Sequence, residues 1–150
     1  VRIDRAPAVV RRQFADVAHH ERIGVHRGVR FEVIEEKVDR CRYRQITRLG
    51  PLRLRQEILL ARPDEGPLVN TVLAGQFAGG TITFDIRPAP GPHAGSYVEA
   101  RLVAELKGIA ALLRPIFRRS VSRTLSKALA EDKHDLEHGD YGLHTAERSS

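Results

Sequence analysis

The sequence predicts an α+β protein in which a curved antiparallel β-sheet of about six to seven strands wraps around a long C-terminal α-helix. Three observations lead to this fold class. The hydrophobic residues recur at helical spacing near the start of the chain, alternate across its middle, and return to helical spacing near its end. Gly and Pro residues separate the alternating runs, so successive strands should pair as an antiparallel meander.

The first part of the chain is predicted to be a short strand followed by a helix. Val1 to Ile3 has a strand pattern, and Asp4 is a suitable N-cap for a helix from about Pro7 to Ala18. Apolar side chains recur there at spacings of three and four residues, at Val9, Val10, Phe14 and Val17. The polar cluster at 19–22 either ends this helix or opens a second short one.

Six runs in the middle of the chain have the pattern of half-buried strands. They lie at 29–33, 41–49, 52–60, 68–74, 81–86 and 98–106. Glycines at 75, 79 and 80 are not followed by a helix with Lys-Ser or Lys-Thr, which argues against a phosphate-binding loop. We interpret them as a bulge or bend in a curved sheet.

A basic segment from Leu112 to Glu137 is predicted to be the long C-terminal helix. At about 100° per residue its apolar stripe is formed by Val121, Leu125, Leu129 and Leu136. Asp132 falls inside this stripe. A carboxylate among apolar side chains must either take up a proton or face a cation, a hydrogen-bond donor or a metal ion. Asp132 is therefore the first candidate functional residue.

Composition bounds the class of protein. With 150 residues, 41% hydrophobic and 29% charged, the chain is expected to form one domain around a single core. It has no run of eighteen apolar residues and no signal-peptide pattern, which predicts a cytoplasmic location. The single Cys41 excludes an intrachain disulfide and a cysteine-only metal site.

The net charge of +6 raises the question of a polyanionic partner. Only 5% of the residues are aromatic and the arginines are spread along the chain, so we predict no nucleic-acid partner. A transient contact with an anionic membrane surface is left open, through basic residues of the late helix. They are Arg114, Arg118, Arg119, Arg123 and Lys127. The oligomeric state is also left open.

A single helix cannot fill the concave face of such a sheet, so a cavity between them is expected. This order of elements resembles the START/birch-pollen-allergen superfamily, also called SRPBCC, over residues 1–138. The resemblance implies a helix-grip fold and the binding of a hydrophobic small molecule, such as a lipid, sterol, isoprenoid or polyketide-like compound. Residues 139–150 lack periodicity and are predicted to form a flexible tail.

The predicted ligand-binding residues are inward-facing side chains of the strands and of the helix stripe. They are Phe31, Tyr43, Leu54, Phe84, Val98, Leu102, Val121, Leu125 and Leu129. Each Å² of apolar ligand surface that they cover would contribute about 25 cal/mol to binding. No cofactor is expected for a protein that only binds its ligand.

A weaker resemblance is to the catalytic domain of Rieske ring-hydroxylating oxygenases. It is carried by Asp16, His19 and His26, together with Asp132 in the late helix. It implies a mononuclear Fe(II) held by His19, His26 and Asp132, with His20 as the alternative to His19. His19 and His26 have six residues between them, more than in that family, and no Cys-His pairs are present for an iron–sulfur cluster.

Acid–base catalysis is a further possibility, because polyketide cyclases and dehydratases belong to the SRPBCC superfamily. Asp132 would exchange a proton with the ligand, with His26, Tyr43 or Tyr97 as its partner. The predicted catalytic pair is Asp132 and His26.

Overall fold

The computed structural model describes residues 1–49, 52–91, 95–104, 114–139 and 141, without the side chains of 49, 52 and 114–118. The described elements follow one another as a short strand, two short helices, six strands and one long helix. They are β1 (Arg2–Ile3), α1 (Pro7–Ala15), α2 (Val17–Ile23), β2 (Val29–Glu36), β3 (Arg40–Leu49), β4 (Leu52–Ala61), β5 (Leu68–Ala74), β6 (Thr81–Pro88), β7 (Ser96–Val103) and α3 (Arg114–His138).

The seven described strands form one sheet in the order β1-β7-β6-β5-β4-β3-β2. Every neighbouring pair is antiparallel, and β2 to β7 pair in chain order. The short β1 is an edge strand that pairs with the start of β7, where Arg2 lies opposite Tyr97. The predicted fold class is therefore confirmed. No helix among the described residues is long and apolar enough to cross a lipid bilayer.

The helix predicted from Pro7 to Ala18 is interrupted at Asp16. α1 ends at Ala15, and Asp16 leaves helical geometry with φ −91° and ψ 78°. Its carboxylate accepts a hydrogen bond of 2.8 Å from the backbone N–H of His19 and so caps α2. The prediction of a continuous helix was wrong because an Asp in mid-helix can satisfy the free N–H groups of a new helix start.

The long helix α3 begins at Arg114 in the structure, and the predicted start at Leu112 lies outside the described residues. Its apolar stripe faces the sheet as predicted. Leu136 is fully buried in the core, and Asp132 in the same stripe is only 5% exposed. Arg119 and Arg123 are exposed.

The hydrophobic core lies where α1 and the C-terminal half of α3 meet the sheet. Ile3, Val10 and Leu136 are completely buried there. Val98 belongs to this core cluster and is 2% exposed. Its prediction as a ligand-binding residue is not supported, because the β1–β7 pairing covers this part of β7 with core side chains.

A β-bulge bends the sheet between β4 and β5. Glu57 lies opposite Ala74 and Ile58 opposite Val72, so one extra residue, Leu73, is inserted in β5. Gly75 follows the bulge with φ 113°, and a Cβ there would lie 2.6 Å from the carbonyl oxygen of Arg55. The structure thus agrees with the interpretation of these glycines as a bend, and only Gly fits at position 75.

Candidate functional site

A cavity of about 740 Å³ lies between the concave face of the sheet and α3. This size is within the range of small-molecule sites, and most of the lining side chains are apolar. The predicted ligand-binding residues that line it are Phe31, Tyr43, Leu54, Phe84, Leu102, Val121, Leu125 and Leu129. The expected hollow interior is therefore present.

Polar side chains also reach the cavity from the inner face of the sheet. Gln45 and Gln56 lie opposite each other on β3 and β4, and both line the cavity. The Nε2 of Gln45 donates a hydrogen bond of 3.0 Å to the hydroxyl oxygen of Thr47, which is also a lining residue. They alternate in step with Tyr43 on β3 and Leu54 on β4, but the sequence alone assigned them no role. They provide donors and acceptors for an oxygenated ligand.

Tyr43 is held by a partner that the sequence analysis missed. Its hydroxyl donates a hydrogen bond of 3.0 Å to Oδ1 of Asn70, and both side chains are buried. Burial raises the pKa of Tyr43 above its ordinary value. The signal for Asn70 was a polar residue between Leu68 and Val72 on the buried face of β5. Tyr43 is therefore a hydrogen-bonded wall residue rather than a free acid.

Three buried side chains form a compact cluster at the cavity wall. They are His20, His26 and Asp132, and one ligand atom from each lies within 4.8 Å of the other two. The Nε2 of His20 is 3.1 Å, and the Nε2 of His26 is 3.4 Å, from Oδ1 of Asp132. The two imidazole rings stack with centroids 5.2 Å apart. All three residues also line the cavity.

The backbone of α2 decides which histidine joins the cluster. Because α2 starts at Asp16, His19 and His20 point to different sides of a short helix. His19 binds Oδ2 of Asp135 at 2.9 Å and is absent from the cluster of possible metal ligands. The structure therefore places the predicted alternative, His20, beside Asp132 in place of His19.

The ring orientation of His20 is set by the backbone. Its Nδ1 lies 2.7 Å from the carbonyl oxygen of Asp16. A carbonyl can only accept a hydrogen bond, so Nδ1 carries the proton and Nε2 is the atom presented to Asp132. The residue that breaks the helix therefore also fixes the tautomer of His20.

His26 is held between two acids of α3. Its Nδ1 lies 3.3 Å from Oε2 of Glu131, and its Nε2 faces Asp132. The ring comes from the connection between α2 and β2, where Gly24 and Gly28 both have positive φ. These glycines let the chain turn back and bring His26 over the cavity.

The environment of His20 favours its protonated form. Burial lowers the pKa of His20, but the hydrogen bond and negative charge of Asp132 raise it, and Asp16 adds to this effect. The net result is a pKa above the ordinary value of histidine. A protonated His20 beside Asp132 is a buried ion pair with a proton available to a ligand.

A second histidine–carboxylate pair lies next to the cluster. Gln13 is fully buried, and its Nε2 donates to Oδ1 of Asp132 at 3.3 Å and to Oδ2 of Asp135 at 3.1 Å. Asp135 in turn binds His19, whose ring packs edge-on against Tyr141 at 4.5 Å. The signal for Gln13 was an amide within the apolar side of α1. Gln13 therefore links the His20–Asp132 and His19–Asp135 pairs through hydrogen bonds to both carboxylates.

Tyr97 does not contact the cluster. It is 46% exposed and lies at the start of β7 opposite Arg2. As an odd-numbered residue of β7 it alternates with Val98 and points away from the concave face. Its prediction as a partner of Asp132 is therefore corrected.

Solved structures share this architecture. TTHA0849 from Thermus thermophilus matches with a TM-score of 0.80 and 19% identity, over 91% of this chain and 92% of that chain. The Zhui aromatase/cyclase from Streptomyces sp. R1128 matches with a TM-score of 0.63 and 12% identity, over 92% and 93%. The chain has a helix-grip fold.

A third similar structure is larger than this chain. The di-domain ARO/CYC BexL from the BE-7585A biosynthetic pathway matches with a TM-score of 0.66 and 20% identity, over 91% of this chain and 48% of that chain. No family model matches the sequence, and no curated protein matches it significantly. At these identities the likeness establishes the fold, and activity has to be argued from the side chains.

Proposed function

We propose that residues 1–138 bind a hydrophobic small molecule of oxygenated, polyketide-like character inside the cavity. The observation that carries this proposal is the 740 Å³ cavity, whose apolar wall is interrupted by a few polar groups. Apolar walls provide affinity, and the few polar groups orient the ligand. The aromatase/cyclase names of two similar structures support this ligand class.

The positions of the polar groups narrow the ligand further. Ser122 and Asp132 both line the cavity from α3 and are ten residues apart, or about 15 Å along the helix. Between them Leu125, Ala128 and Leu129 are apolar, and the hydroxyl of Thr124 donates its hydrogen bond to the carbonyl oxygen of Ser120. An elongated ligand with an apolar middle and oxygen atoms towards both ends fits this pattern.

The proposal is tested with 1-anilinonaphthalene-8-sulfonate, a fluorescent apolar probe. Leu125→Trp places an indole in the cavity and should abolish saturable probe binding. Leu73→Trp, at an exposed position of the β5 bulge, is the matched control and should bind the probe as the wild type does. Equal binding by Leu125→Trp would show that the probe lies elsewhere and would contradict the proposal.

The cluster favours catalysis as a second candidate function, by acid–base chemistry or through a metal ion. For acid–base chemistry, His20 would donate its Nε2 proton to a ligand oxygen, and the negative charge of Asp132 would keep the ring protonated until that transfer. Tyr43 and Tyr97 take no part in this version. The Nε2 of His26, the predicted partner of Asp132, would contact the same ligand oxygen.

The metal version is supported by the hydrogen bonds of the two Nδ1 atoms, on the side of each ring away from Asp132. Asp16 and Glu131 hold the Nδ1 atoms of His20 and His26, so both Nε2 atoms face Asp132. Such outer partners are typical of metal-binding histidines. Ligand atoms about 2.0–2.1 Å from one tetrahedral ion lie about 3.4 Å apart, close to the 3.1 and 3.4 Å that separate the two Nε2 atoms from Oδ1 of Asp132. Two imidazoles and one carboxylate suit Zn²⁺ or Fe²⁺.

Titration with Co²⁺, followed by its visible absorption, separates the two versions. Stoichiometric binding that is lost in both His20→Ala and Asp132→Ala would support the metal site. His134→Ala is the control, because it breaks the exposed, stacked pair His134–His138 and should leave this binding unchanged. If the wild type bound no Co²⁺, the metal version would be excluded. The acid–base version would remain, and it predicts that His20→Gln still binds the fluorescent probe.

A further inference from the structure

The sheet edge at which the cavity ends has an unusual charge distribution. This mouth edge is formed by the starts of β2, β4 and β6 and the ends of β3, β5 and β7. The strand register brings Val29 beside Thr47, Thr47 beside Leu54, and Thr81 beside Val103. Cavity-lining residues lie along the whole edge and on the adjoining turn of α3. They are Val29, Thr47, Leu54, Gly80, Leu102, Val121 and Ser122.

Every charged residue in the described segments of the mouth edge is basic. The described segments 24–31, 46–49, 52–55, 72–82, 101–104 and 119–126 contain no Asp or Glu. Six exposed arginines there make no ion pair with any described residue. They are Arg27, Arg48, Arg53, Arg55, Arg119 and Arg123. At the opposite edge, the end of β2 and the turns after β2 and β4 carry Glu35, Glu36, Asp39, Asp64 and Glu65.

One cross-strand pair brings two of these positive charges together. Arg48 and Arg53 lie directly opposite each other on β3 and β4. Like charges at opposed positions of an antiparallel pair are destabilising, and neither side chain forms an ion pair with a described residue. An anionic surface outside the molecule would relieve it.

Exposed aliphatic side chains accompany the arginines at the mouth edge. Leu73 is 45%, Leu102 39% and Val103 58% exposed, at the ends of β5 and β7. Ile23, at the end of α2 next to this edge, is 56% exposed. Aliphatic groups between arginines match the boundary between the charged headgroups and the acyl chains of a lipid layer. They offer no flat ring for stacking on nucleic-acid bases.

We propose that the mouth edge docks on an anionic lipid surface. The arginines would contact the charged headgroups, and the aliphatic side chains would contact the outer part of the acyl chains. Docking in this orientation would point the cavity at the membrane, the phase in which a hydrophobic ligand accumulates. The uptake of a ligand from the membrane rests on the proposed function. The docking itself rests only on the charges and exposed groups of the edge.

Vesicle sedimentation tests the docking. The wild type should bind phosphatidylcholine vesicles that contain phosphatidylserine, and added salt should weaken this binding. Arg48→Glu/Arg53→Glu should weaken it by roughly tenfold or more. The matched control Arg2→Glu/Arg40→Glu makes the same charge change at exposed positions of the opposite edge and should keep most of the affinity.

A second pair of variants tests the aliphatic contact. Val103→Ser should reduce vesicle binding, whereas Val38→Ser, at a 99% exposed position of the opposite edge, should not. No binding to phosphatidylserine vesicles, or equal losses in both charge variants, would overturn the proposal. So would binding to duplex DNA or polyglutamate as tight as that to the vesicles. Cavity occupancy, measured with the fluorescent probe, is read out separately, so either proposal can fail alone.

Discussion

The Nε2 atom of His20 lies 3.1 Å from Oδ1 of Asp132, and neither residue is more than 7% exposed. Asp16 fixes the ring of His20, and Gln13 donates a hydrogen bond to the same oxygen of Asp132. The geometry of this pair is thus determined by residues of the N-terminal helices. Its protonation has measurable consequences for stability and spectroscopy.

We predict that His20 stabilises the metal-free protein mainly at low pH. Its folded-state pKa is raised, so its contribution is fully present below the unfolded value of about 6.5 and is lost as pH rises through the folded value. Urea unfolding of the wild type and of His20→Gln, with a chelator present, measures this contribution as a difference.

The neighbouring groups must be considered in that comparison. Asp132, Asp16 and His26 face His20 from α3, from the start of α2 and from the α2–β2 connection. In Asp132→Asn the His20 resonances should titrate at a lower pH than in the wild type. A difference between wild type and His20→Gln that grows with increasing pH would contradict the assignment.

We predict that Leu136→Ala reduces the free energy of unfolding by about 2–5 kcal/mol, because it opens a void in a closely packed core. Leu136 is fully buried beside Ile3 and Val10. Leu125→Ala is the control on the same helix face. Leu125 already borders the cavity, so its truncation should cost less. Chemical denaturation measures both, and equal losses would mean that the cavity is filled in solution.

We predict that Gly75→Ala destabilises the fold more than Gly79→Ala. Both glycines have positive φ, which costs an Ala about 1–2 kcal/mol. Only at position 75 would the new Cβ also meet a backbone atom, the carbonyl oxygen of Arg55 at 2.6 Å. Thermal unfolding of the two variants isolates this contact. Equal melting temperatures would show that the bulge can relax.

We predict that Cys41 is unreactive in the folded protein. Burial raises the pKa of its thiol to about 12, and its side chain is inaccessible. At pH 8 roughly one thiol in 10,000 would be ionised. Iodoacetamide labelling followed by mass spectrometry should show modification only after denaturation. Rapid labelling of the native protein would mean that β3 opens locally.

Much of the fold could be predicted from the sequence because periodicity reports which side of an element is buried. Asp132 was found in this way, since an acid in an apolar helix stripe stands out against its neighbours. The β-strands and the bend near Gly75 followed from alternation and turn residues. These signals are local, and the structure agrees with them.

The composition of the site depends on non-local geometry that periodicity does not contain. The choice between His19 and His20 depends on the phase of α2, which the break at Asp16 sets. Val98 has the same alternation as Leu102, yet one packs in the core and the other lines the cavity. The difference arises because β1 and the end of α3 cover only one half of β7.

The double role of Asp16 has a consequence for protein engineering. Copying the two imidazoles and the acid into another scaffold would not reproduce their arrangement, because one backbone carbonyl orients the first ring and the kink before it sets the rotation of α2. A successful transplant would have to carry the whole turn from Gln13 to His20 as one unit. Straightening that turn would turn the first ring away from the acid while leaving every side chain of the trio intact.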